Sequence, residues 1–488
     1  MRRVALLLLL CAVALAAAVT VNTWRQGSRQ PAVPPLAPAA IDAQAAAERL
    51  AAAVRFRTIS YEQPSPASEA EFLKLHEYLA QAFPRTHAAL TRETVHRYSL
   101  LYTWRGRDPA AAPIVLMAHQ DVVPIAPGTE DRWHAPPFAG EIQDGFVWGR
   151  GTWDDKGSLM AILESVERLS ARGFTPQRTI YLAFGHDEEN GGADGASAIA
   201  ALLQGRGVQP EFVLDEGMLI VSGALPGLQR PAALIGIAEK GAATLRLTAS
   251  AQAGHSSMPA AHSAIGTLAL ALTRLEQAPM PGRIRGVAAQ MFDTVAPEMQ
   301  GASRVLLSNR WLFGPLLEWR LAQLPAPNAA LRTTTALTIV QGGNKENVLP
   351  GEASAWVNFR LLPGDTVADL VVHAREAIGD GAVRIEVMPG ASEASPVAAT
   401  DAAGYRVVSN TVREVFPDAV VAPGLMIAAT DSRHLTTLTR DIYRFVPLRS
   451  NAAELSRFHG TDERIAIANY ADLIRFYERL IDRAAGGP

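Results

Sequence analysis

The chain has 488 residues, of which 48% are hydrophobic and 19% are charged. This length is enough for two or three domains with a large buried core, and the composition excludes an intrinsically disordered chain. The formal net charge is −3, and no extended run of Lys or Arg occurs. The charge pattern therefore does not favour a nucleic-acid partner.

The N-terminus begins with a segment typical of export. Arg2 and Arg3 precede residues 4–21, which contain no charged side chain. We expect residues 1–22 to be a signal peptide or a signal-anchor, and the Pro- and Ala-rich residues 23–44 to be a linker. A buried core helix is the alternative, but the terminal position disfavours it. The prediction is an exported protein on the periplasmic or extracellular side, anchored in the inner membrane if the segment is not cleaved.

The only cysteine, Cys11, lies within this apolar segment. The body of the chain therefore has no disulfide, no thiol nucleophile and no cysteine ligand. Any metal ion in the body must be bound by His, Asp or Glu side chains.

The first part of the body alternates strands and helices. Apolar runs at 113–121, 179–189 and 211–217 have the length of buried strands, and each ends in acidic or histidine residues. Residues 157–173 have apolar side chains at helical spacing and end at a Gly. This order predicts an α/β fold, a doubly wound and mostly parallel sheet with helices on both faces. In such sheets the binding crevice lies beyond the carboxyl ends of the strands.

The pattern changes near Lys240. From there the periodicity follows the order β-α-β-β-α-β, which is typical of a ferredoxin-like α+β sandwich. Residues 281–332 are an additional apolar stretch that contains Trp, and residues 463–485 form an amphipathic helix at the end. We therefore predict a catalytic domain at 45–239 and 392–488, interrupted by a smaller inserted domain at 240–391.

Candidate metal ligands collect at the predicted strand ends and loops. One carboxylate with two His side chains fits a single zinc ion with an open position. Two His and three carboxylates fit two metal ions that share a bridging carboxylate. The candidates are His119, Asp154, Glu189, Asp215 and His459.

Six motifs occur in order along the chain. They are HQDVVP, GRGTWDDKG, GHDEENGG, LDEG, GHSSMP and FHGTDERI, which begin at His119, Gly149, Gly185, Leu214, Gly254 and Phe458. Together they resemble the dizinc metallopeptidase and amidohydrolase family of aminoacylases, acetylornithine deacetylases, succinyl-diaminopimelate desuccinylases and carboxypeptidase S. The resemblance covers nearly the whole chain after the linker. Through NFRLLPGDT and TDSRHL it is strongest to the branch of carboxypeptidase S and secreted N-acyl-amino-acid hydrolases.

The resemblance implies a role for each candidate ligand. His119 and Asp215 would bind one metal ion, Glu189 and His459 would bind the other, and Asp154 would bridge both. In this family a cis peptide bond often joins the bridging aspartate to the next residue. The ions are expected to be two zinc ions, although His and carboxylate sites also accept cobalt or manganese.

The resemblance also implies the catalytic groups. Glu188 would be the general base that takes a proton from the attacking water and passes it to the leaving amine. Asp121 would hold the His119 imidazole in the required tautomer. His255, in the inserted domain, would stabilise the oxyanion, commonly across a dimer interface in this family. The inserted domain would thus be a lid and dimerisation domain, and the protein a homodimer.

Other residues of the motifs have less specific roles. Arg360, Arg433 and Asn347 are candidates for binding a substrate carboxylate, which a planar guanidinium binds bidentately. Asp155 and Lys156 are interpreted as structural residues that cap the following helix and form pairs around it.

The sequence therefore predicts a metal-dependent hydrolase of a small-molecule substrate, an N-acyl amino acid or a short peptide, cleaved next to a free carboxylate. One alternative is a non-enzymatic binding or scaffold descendant, which the complete set of ligands and base disfavours. Another is a dizinc aminopeptidase without an inserted domain, which GHSSMP and the β-α-β-β-α-β stretch disfavour. With no GxSxG motif and no thiol in the body, covalent acyl transfer has no support.

Overall fold

The computed structural model describes residues 1–61, 65–223, 225–451 and 453–487. In chain order its strands are β1 (Thr91–Val95), β2 (Ser99–Trp104), β3 (Ile114–His119), β4 (Glu141–Gln143), β5 (Phe146–Trp148), β6 (Ile180–Gly185), β7 (Phe212–Ser222), β8 (Ala232–Glu239), β9 (Gly241–Ser250), β10 (Gly254–His255), β11 (Thr334–Gly342), β12 (Val348–Leu349), β13 (Glu352–Leu361), β14 (Val383–Val387), β15 (Val420–Met426), β16 (Ile442–Asn451) and β17 (Arg464–Ala466).

The α-helices are α1 (Arg2–Arg25), α2 (Ala43–Val54), α3 (Pro66–Ala82), α4 (Pro84–Ala89), α5 (Lys156–Ala171), α6 (Ala196–Gly205), α7 (Ala264–Gln277), α8 (Gly286–Val295), α9 (Gly301–Ser308), α10 (Arg310–Leu321), α11 (Pro325–Leu331), α12 (Val367–Ile378), α13 (Ala403–Val415) and α14 (Ile467–Ala485).

The main sheet has eight strands in the order β1-β2-β6-β3-β7-β16-β8-β15. The neighbours β6–β3, β3–β7, β7–β16 and β8–β15 pair in parallel. The pairs β1–β2 and β2–β6 at one edge are antiparallel. The predicted mostly parallel α/β sheet is thus confirmed.

Both faces of this sheet are covered by helices. Successive side chains of a strand point to opposite faces, and in β3 Leu116 packs into a core with α5 and α14, whereas Val115 and Met117 pack with α6. Burial on both sides explains why these strands appear in the sequence as continuous apolar runs.

The inserted domain has the predicted ferredoxin-like architecture. Its strands follow the antiparallel order β11-β13-β9-β14, and α7 and α12 connect them in the sequence β-α-β-β-α-β. Leu268 and Leu275 of α7 and Leu370 of α12 pack on the sheet in a core of their own.

The additional stretch within the insertion packs elsewhere. Phe292 and Val295 of α8 share a core with Val420 and Ala422 of β15. Helices α8 to α10 therefore pack on the edge strand of the main sheet, although the range predicted for the inserted domain includes them.

The N-terminal helix α1 is long and apolar enough to cross a membrane, with a mean hydropathy of 2.9 over its most apolar 18 residues. The segment after it lies against the main body. Gln30 exchanges two hydrogen bonds with the backbone of Val421, and the Leu36 amide donates to the Glu414 carbonyl. The predicted linker thus lies along the surface of the main body and is hydrogen-bonded to it.

Candidate metal centre and active site

The candidate ligands meet at the carboxyl edge of the main sheet. His119 is the last residue of β3, and Asp154 lies just before α5. The chain after β6 turns as a short 3-10 helix over Glu188–Asn190, followed by Gly191 and Gly192 at φ 98° and 67°. This bend brings two neighbouring glutamates to the site.

Asp154 lies between two histidines. Its Oδ1 is 2.8 Å from His119 Nε2, and its Oδ2 is 2.7 Å from His459 Nε2. Burial alone would raise the pKa of Asp154, but these hydrogen bonds outweigh burial and lower it. The neighbouring carboxylates of Asp154 and Glu189 raise the pKa of the His459 imidazole to about 10. The peptide bond between Asp154 and Asp155 is cis.

Two groups of donor atoms share Asp154. Glu216 Oε1 is 3.6 Å from His119 Nε2 on one side, and Glu189 Oε1 is 3.3 Å from His459 Nε2 on the other. In each group the ligand atoms lie within 4.8 Å of one another, and Glu189 Oε1 is buried without a hydrogen-bond partner. Two imidazoles and three carboxylates in this arrangement fit a pair of divalent metal ions with one shared carboxylate.

Asp215 is the predicted ligand that the structure does not bring into either group. Its carboxylate accepts hydrogen bonds from the backbone amides of Glu216, at 2.9 Å, and Ser432, at 2.8 Å. Neighbouring side chains of a strand point to opposite faces. The face of β7 that is directed at His119 carries Glu216, the residue that sequence reasoning missed.

Asp121 connects the first histidine to the acidic loop. One carboxylate oxygen is 3.3 Å from His119 Nδ1, and the two oxygens accept the backbone amides of Glu188 and Glu189 at 3.2 and 3.1 Å. Ser60 Oγ donates to the same carboxylate at 2.7 Å. Asp121 therefore positions His119 and the acidic loop relative to each other.

Glu188 lies beside the metal-ligand groups, within reach of His119 and Glu189. Burial and the negative charges of nearby Asp431 and Asp154 raise the pKa of its carboxyl group well above the usual range. A carboxylate with a raised pKa in this place has the chemistry of a general base that later donates the same proton.

Arg150 and Glu463 hold the two metal-ligand loops, and sequence reasoning missed both. Glu463 is fully buried, and its Oε1 accepts the amides of Gly151, Trp153 and Asp154 at 2.8, 2.9 and 3.2 Å. Arg150 pairs with Glu463 and donates to the carbonyl of His459 at 3.1 Å. The sequence hints at this pair only by position, since Arg150 lies in the motif GRGTWDDKG with Asp154, and Glu463 lies in the motif FHGTDERI with His459.

We expect Glu463→Ala to destabilise the protein by about 3–5 kcal/mol, because it leaves a buried guanidinium unpaired. Urea unfolding followed by tryptophan fluorescence measures the change. Glu346→Ala is the control, since Glu346 pairs with Lys345 at the surface, where such pairs contribute about 0–1 kcal/mol. Equal shifts for the two variants would contradict the role of Glu463.

The structural interpretation of Asp155 and Lys156 needs one correction. Asp155 occupies the N-cap position of α5, but its side chain makes no capping hydrogen bond. The predicted cap is therefore wrong. Lys156 instead donates from Nζ to the carbonyls of Phe56 and Ala53, at 2.5 and 3.2 Å, and so ties the start of α5 to the end of α2.

The predicted substrate-binding residues lie in separate places. Arg433 Nη2 donates to the Gly191 carbonyl at 2.7 Å, beside the acidic loop. His255 lies on the short β10–β12 pair of the inserted domain, where the Ser256 amide donates to the Asn347 carbonyl. Arg360 is paired with Ala242 in the β9–β13 ladder. Among the described residues, only Arg433 of these candidates contacts the loops of the metal centre.

A cavity with an apolar wall opens beside the metal-ligand groups. Its lining combines the polar residues Asp154, Glu188, Glu216 and His459 with the apolar residues Trp153, Leu219, Met426, Val446 and Phe458. A larger cavity lies elsewhere, between residues 36–39 and α14, where its lining charges pair with one another, as Arg475 does with Asp472. The smaller cavity is the one that contains the chemistry.

A model of peptidase family M20/M25/M40 matches residues 115–483. The chain belongs to this family. It is 45% identical to the probable carboxypeptidase S-like 2 of Dictyostelium discoideum, over 95% of this chain and 91% of that protein. It is 41% identical to the human N-fatty-acyl-amino acid synthase/hydrolase PM20D1, over 90% and 87%. Carboxypeptidase S of Saccharomyces cerevisiae is 29% identical, over 89% and 83%.

Solved structures of M20 enzymes share the fold. The M20 metallo-carboxypeptidase Sso-CP2 from Sulfolobus solfataricus is similar with a TM-score of 0.63 at 17% identity, over 91% of this chain and 99% of that one. Human carnosine dipeptidase 1 has a TM-score of 0.60 at 17% identity, over 90% and 96%. The predicted family, its carboxypeptidase S branch and the metallopeptidase class of the enzyme are confirmed.

Proposed function

We propose that this M20 enzyme hydrolyses the amide bond of N-acyl amino acids or short peptides next to a free carboxylate, and that the two donor groups that share Asp154 would hold two divalent metal ions. Zinc is the expected metal, and cobalt or manganese fit the same ligands. The observation that carries the proposal is the position of Asp154, since each of its oxygens faces a different histidine.

The metal pair, when bound, supplies a water of lowered pKa and polarises the scissile carbonyl. Glu188 then takes the proton of the attacking water and delivers it to the leaving amine. Asp121 keeps the backbone of Glu188 and the ring of His119 in place during this transfer. Glu463 and Arg150 hold Asp154 and His459 at fixed separation.

The groups around the metal centre support this substrate class. The apolar wall of Leu219, Met426, Val446 and Phe458 suits an apolar acyl or side chain. Arg433, half-buried beside the acidic loop, offers a guanidinium for the substrate carboxylate. Relatives named carboxypeptidase S and N-fatty-acyl-amino acid synthase/hydrolase agree with both features.

A substrate panel tests this function. The zinc-loaded protein should hydrolyse acetyl-Met, a long-chain N-acyl amino acid or a dipeptide such as Leu-Leu, and should not hydrolyse the same compounds with an amidated carboxyl group. Activity restricted to peptides with a free amine, whether or not the carboxyl group is amidated, would instead indicate an aminopeptidase. A protein that binds no metal and is inert with zinc or cobalt would be a non-enzymatic descendant.

The identity of the third carboxylate ligand is tested by metal content. We expect Glu216→Ala to retain one of the two metal ions after dialysis, because it removes a carboxylate from only one group. Asp215→Asn is the matched control and should retain both, since in the described part of the chain the Asp215 carboxylate accepts hydrogen bonds from two backbone amides. Elemental analysis gives the ratio of metal to protein. The reverse result would restore Asp215 as the ligand.

We further propose that the enzyme is a homodimer through β11. This strand is at one edge of the inserted sheet, and Ile339 and Val340 are 48% and 62% exposed. Free strand edges of this kind pair with other strands. We expect Val340→Lys to give the mass of a monomer in light scattering, while Val387→Lys on the opposite edge strand β14 leaves a dimer. If both variants keep the wild-type mass, β11 is not the interface.

The orientation in the membrane follows from the N-terminal charges. Arg2 and Arg3 form the start of α1, before its apolar residues, and basic residues are enriched at the cytoplasmic end of a spanning segment. The catalytic body after α1 is therefore proposed to face the periplasm or the outside.

A further inference from the structure

We propose that helix α10, together with Trp24, lies in the interfacial layer of the membrane that α1 spans. The catalytic body then contacts the bilayer surface. This inference rests on the proposed orientation of the chain and on α1 being retained as an anchor. It adds a second membrane contact, made by the folded body itself.

The outer face of α10 is apolar. Trp311, Leu312, Pro315, Leu316 and Trp319 are all exposed and follow the spacing of one helical stripe. Trp311 and Trp319 are each 61% exposed, and Leu316 is 53% exposed. A surface helix of a soluble protein has the opposite arrangement, with its charged residues outward.

The charged groups of α10 point inward or lie at its end. Arg310 pairs with Asp293 at 2.6 Å, and the carboxylate of Glu318 accepts the amide of Ile284 at 2.9 Å. Arg320, near the end of the helix, is the charged residue that shares the exposed side. A long arginine side chain at such a place can extend its charge to the lipid headgroups.

Polar contacts fasten the end of α1 to the start of α10. The buried Asn309 donates from Nδ2 to Thr23 Oγ1 at 2.9 Å. The side chains of Asn22 and Gln26 donate to the Ser308 carbonyl at 2.6 and 2.9 Å. Cleavage after residue 22 would remove Asn22, which donates to the Ser308 carbonyl, and the Val19 carbonyl, which accepts from Asn309 Nδ2 at 3.3 Å. The loss of hydrogen bonds by buried polar groups is costly. The contacts therefore favour a retained helix.

These contacts place the apolar stripe at the level of the membrane surface. A helix of 24 residues is about 36 Å long and crosses a hydrocarbon core of about 30 Å. Trp24, 81% exposed at the end of α1, then lies at the outer interface, where Trp side chains concentrate. Trp311 Nε1 donates to Asn309 Oδ1 at 3.2 Å, so the stripe begins beside the same end of α1.

The test uses the full chain in lipid nanodiscs with spin labels on cysteine. Because Cys11 is the only cysteine, Cys11→Ala gives a background in which Leu316→Cys or Trp319→Cys can be labelled. Leu270→Cys on α7 is the matched control, since Leu270 is 48% exposed in the inserted domain. Collision rates with oxygen, which is enriched in lipid, and with a water-soluble nickel chelate report the surroundings of each label.

We expect the ratio of oxygen to nickel collisions at 316 and 319 to exceed that at 270 several-fold. Equal ratios at the three positions would overturn the proposal, because the stripe would then face water. A fall in both collision rates at 316 and 319 would also overturn it and would indicate a second copy of the chain on the stripe. Thermal unfolding of each labelled variant confirms that the fold is intact.

The native Cys11 separates this proposal from the anchor on which it rests. A label on Cys11 of the wild-type chain should report lipid if α1 spans the bilayer. If the label at position 11 reports lipid while the labels at positions 316 and 319 report water, α1 is still a membrane anchor. Only the proposed position of α10 at the membrane interface is then rejected. A mature chain that lacks Cys11 rejects the anchor itself, while the substrate panel remains an independent test of the activity.

Discussion

Asp154→Ala is expected to lose both metal ions and to lower hydrolysis by more than about 10²-fold, beyond the 10–100-fold typical of losing a residue that only supports a ligand. The reason is geometric, because the two oxygens of Asp154 face His119 and His459 and belong to both donor groups. Elemental analysis and the rate on an N-acyl amino acid are the two measurements.

Asp131→Ala is the control for this variant, since Asp131 is an exposed aspartate outside the site, and it should keep wild-type metal content and rate. A dialysed Asp154→Ala protein that still holds two metal ions per chain would contradict the bridging role. Retention of one metal ion would mean that Asp154 is a ligand of a single metal ion and does not bridge two.

Glu188→Gln should lower kcat by about 10²–10⁴-fold while metal content and KM stay near the wild-type values. The substitution keeps the size of the side chain and removes only its ability to accept and return a proton. Steady-state kinetics on the zinc-loaded enzyme, together with elemental analysis, separates the loss of the base from the loss of metal.

Asp187→Asn is the matched control in the same acidic run. Asp187 accepts the Asp194 amide at 2.8 Å and lies outside the metal-ligand groups, so its effect should be far smaller. A Glu188→Gln enzyme with full metal and a rate close to that of Asp187→Asn would assign the proton transfer to another group.

Much of the site was predictable because its residues follow strong local patterns. His119 ends a continuous apolar strand and Glu188 and Glu189 follow another, and parallel strands place their carboxyl ends at one edge. The order of the motifs then indicated the family and the metal chemistry, and the periodicity after Lys240 indicated the ferredoxin-like insertion. These features depend on residue types and spacing, which are visible in the chain itself.

The local sequence pattern is not sufficient to decide whether Asp215 or Glu216 belongs to the donor group of His119. Both carboxylates lie on the buried strand β7, and a one-residue step changes the face to which a side chain points. The sequence shows two neighbouring acids, but only the packed sheet shows which face is directed at His119. The resemblance implied Asp215, whereas the structure brings Glu216 to the donor group of His119.

The Arg150–Glu463 pair shows a second limit. Its partners are 313 residues apart in the chain, and neither has a periodicity that indicates a buried charge. Only the approach of the loops of Asp154 and His459 makes these two side chains neighbours.

By itself, the sequence determined the residue types of the metal centre, the alternation of strands and helices, and the apolar N-terminal helix. Only the tertiary structure decided that α8 covers the edge strand β15 and that the aromatic stripe of α10 faces outward beside α1. Periodicity shows which residues share a face of a helix or strand. Which of those faces is covered depends on the packing of elements that are distant in the chain, and this information is absent from any local pattern.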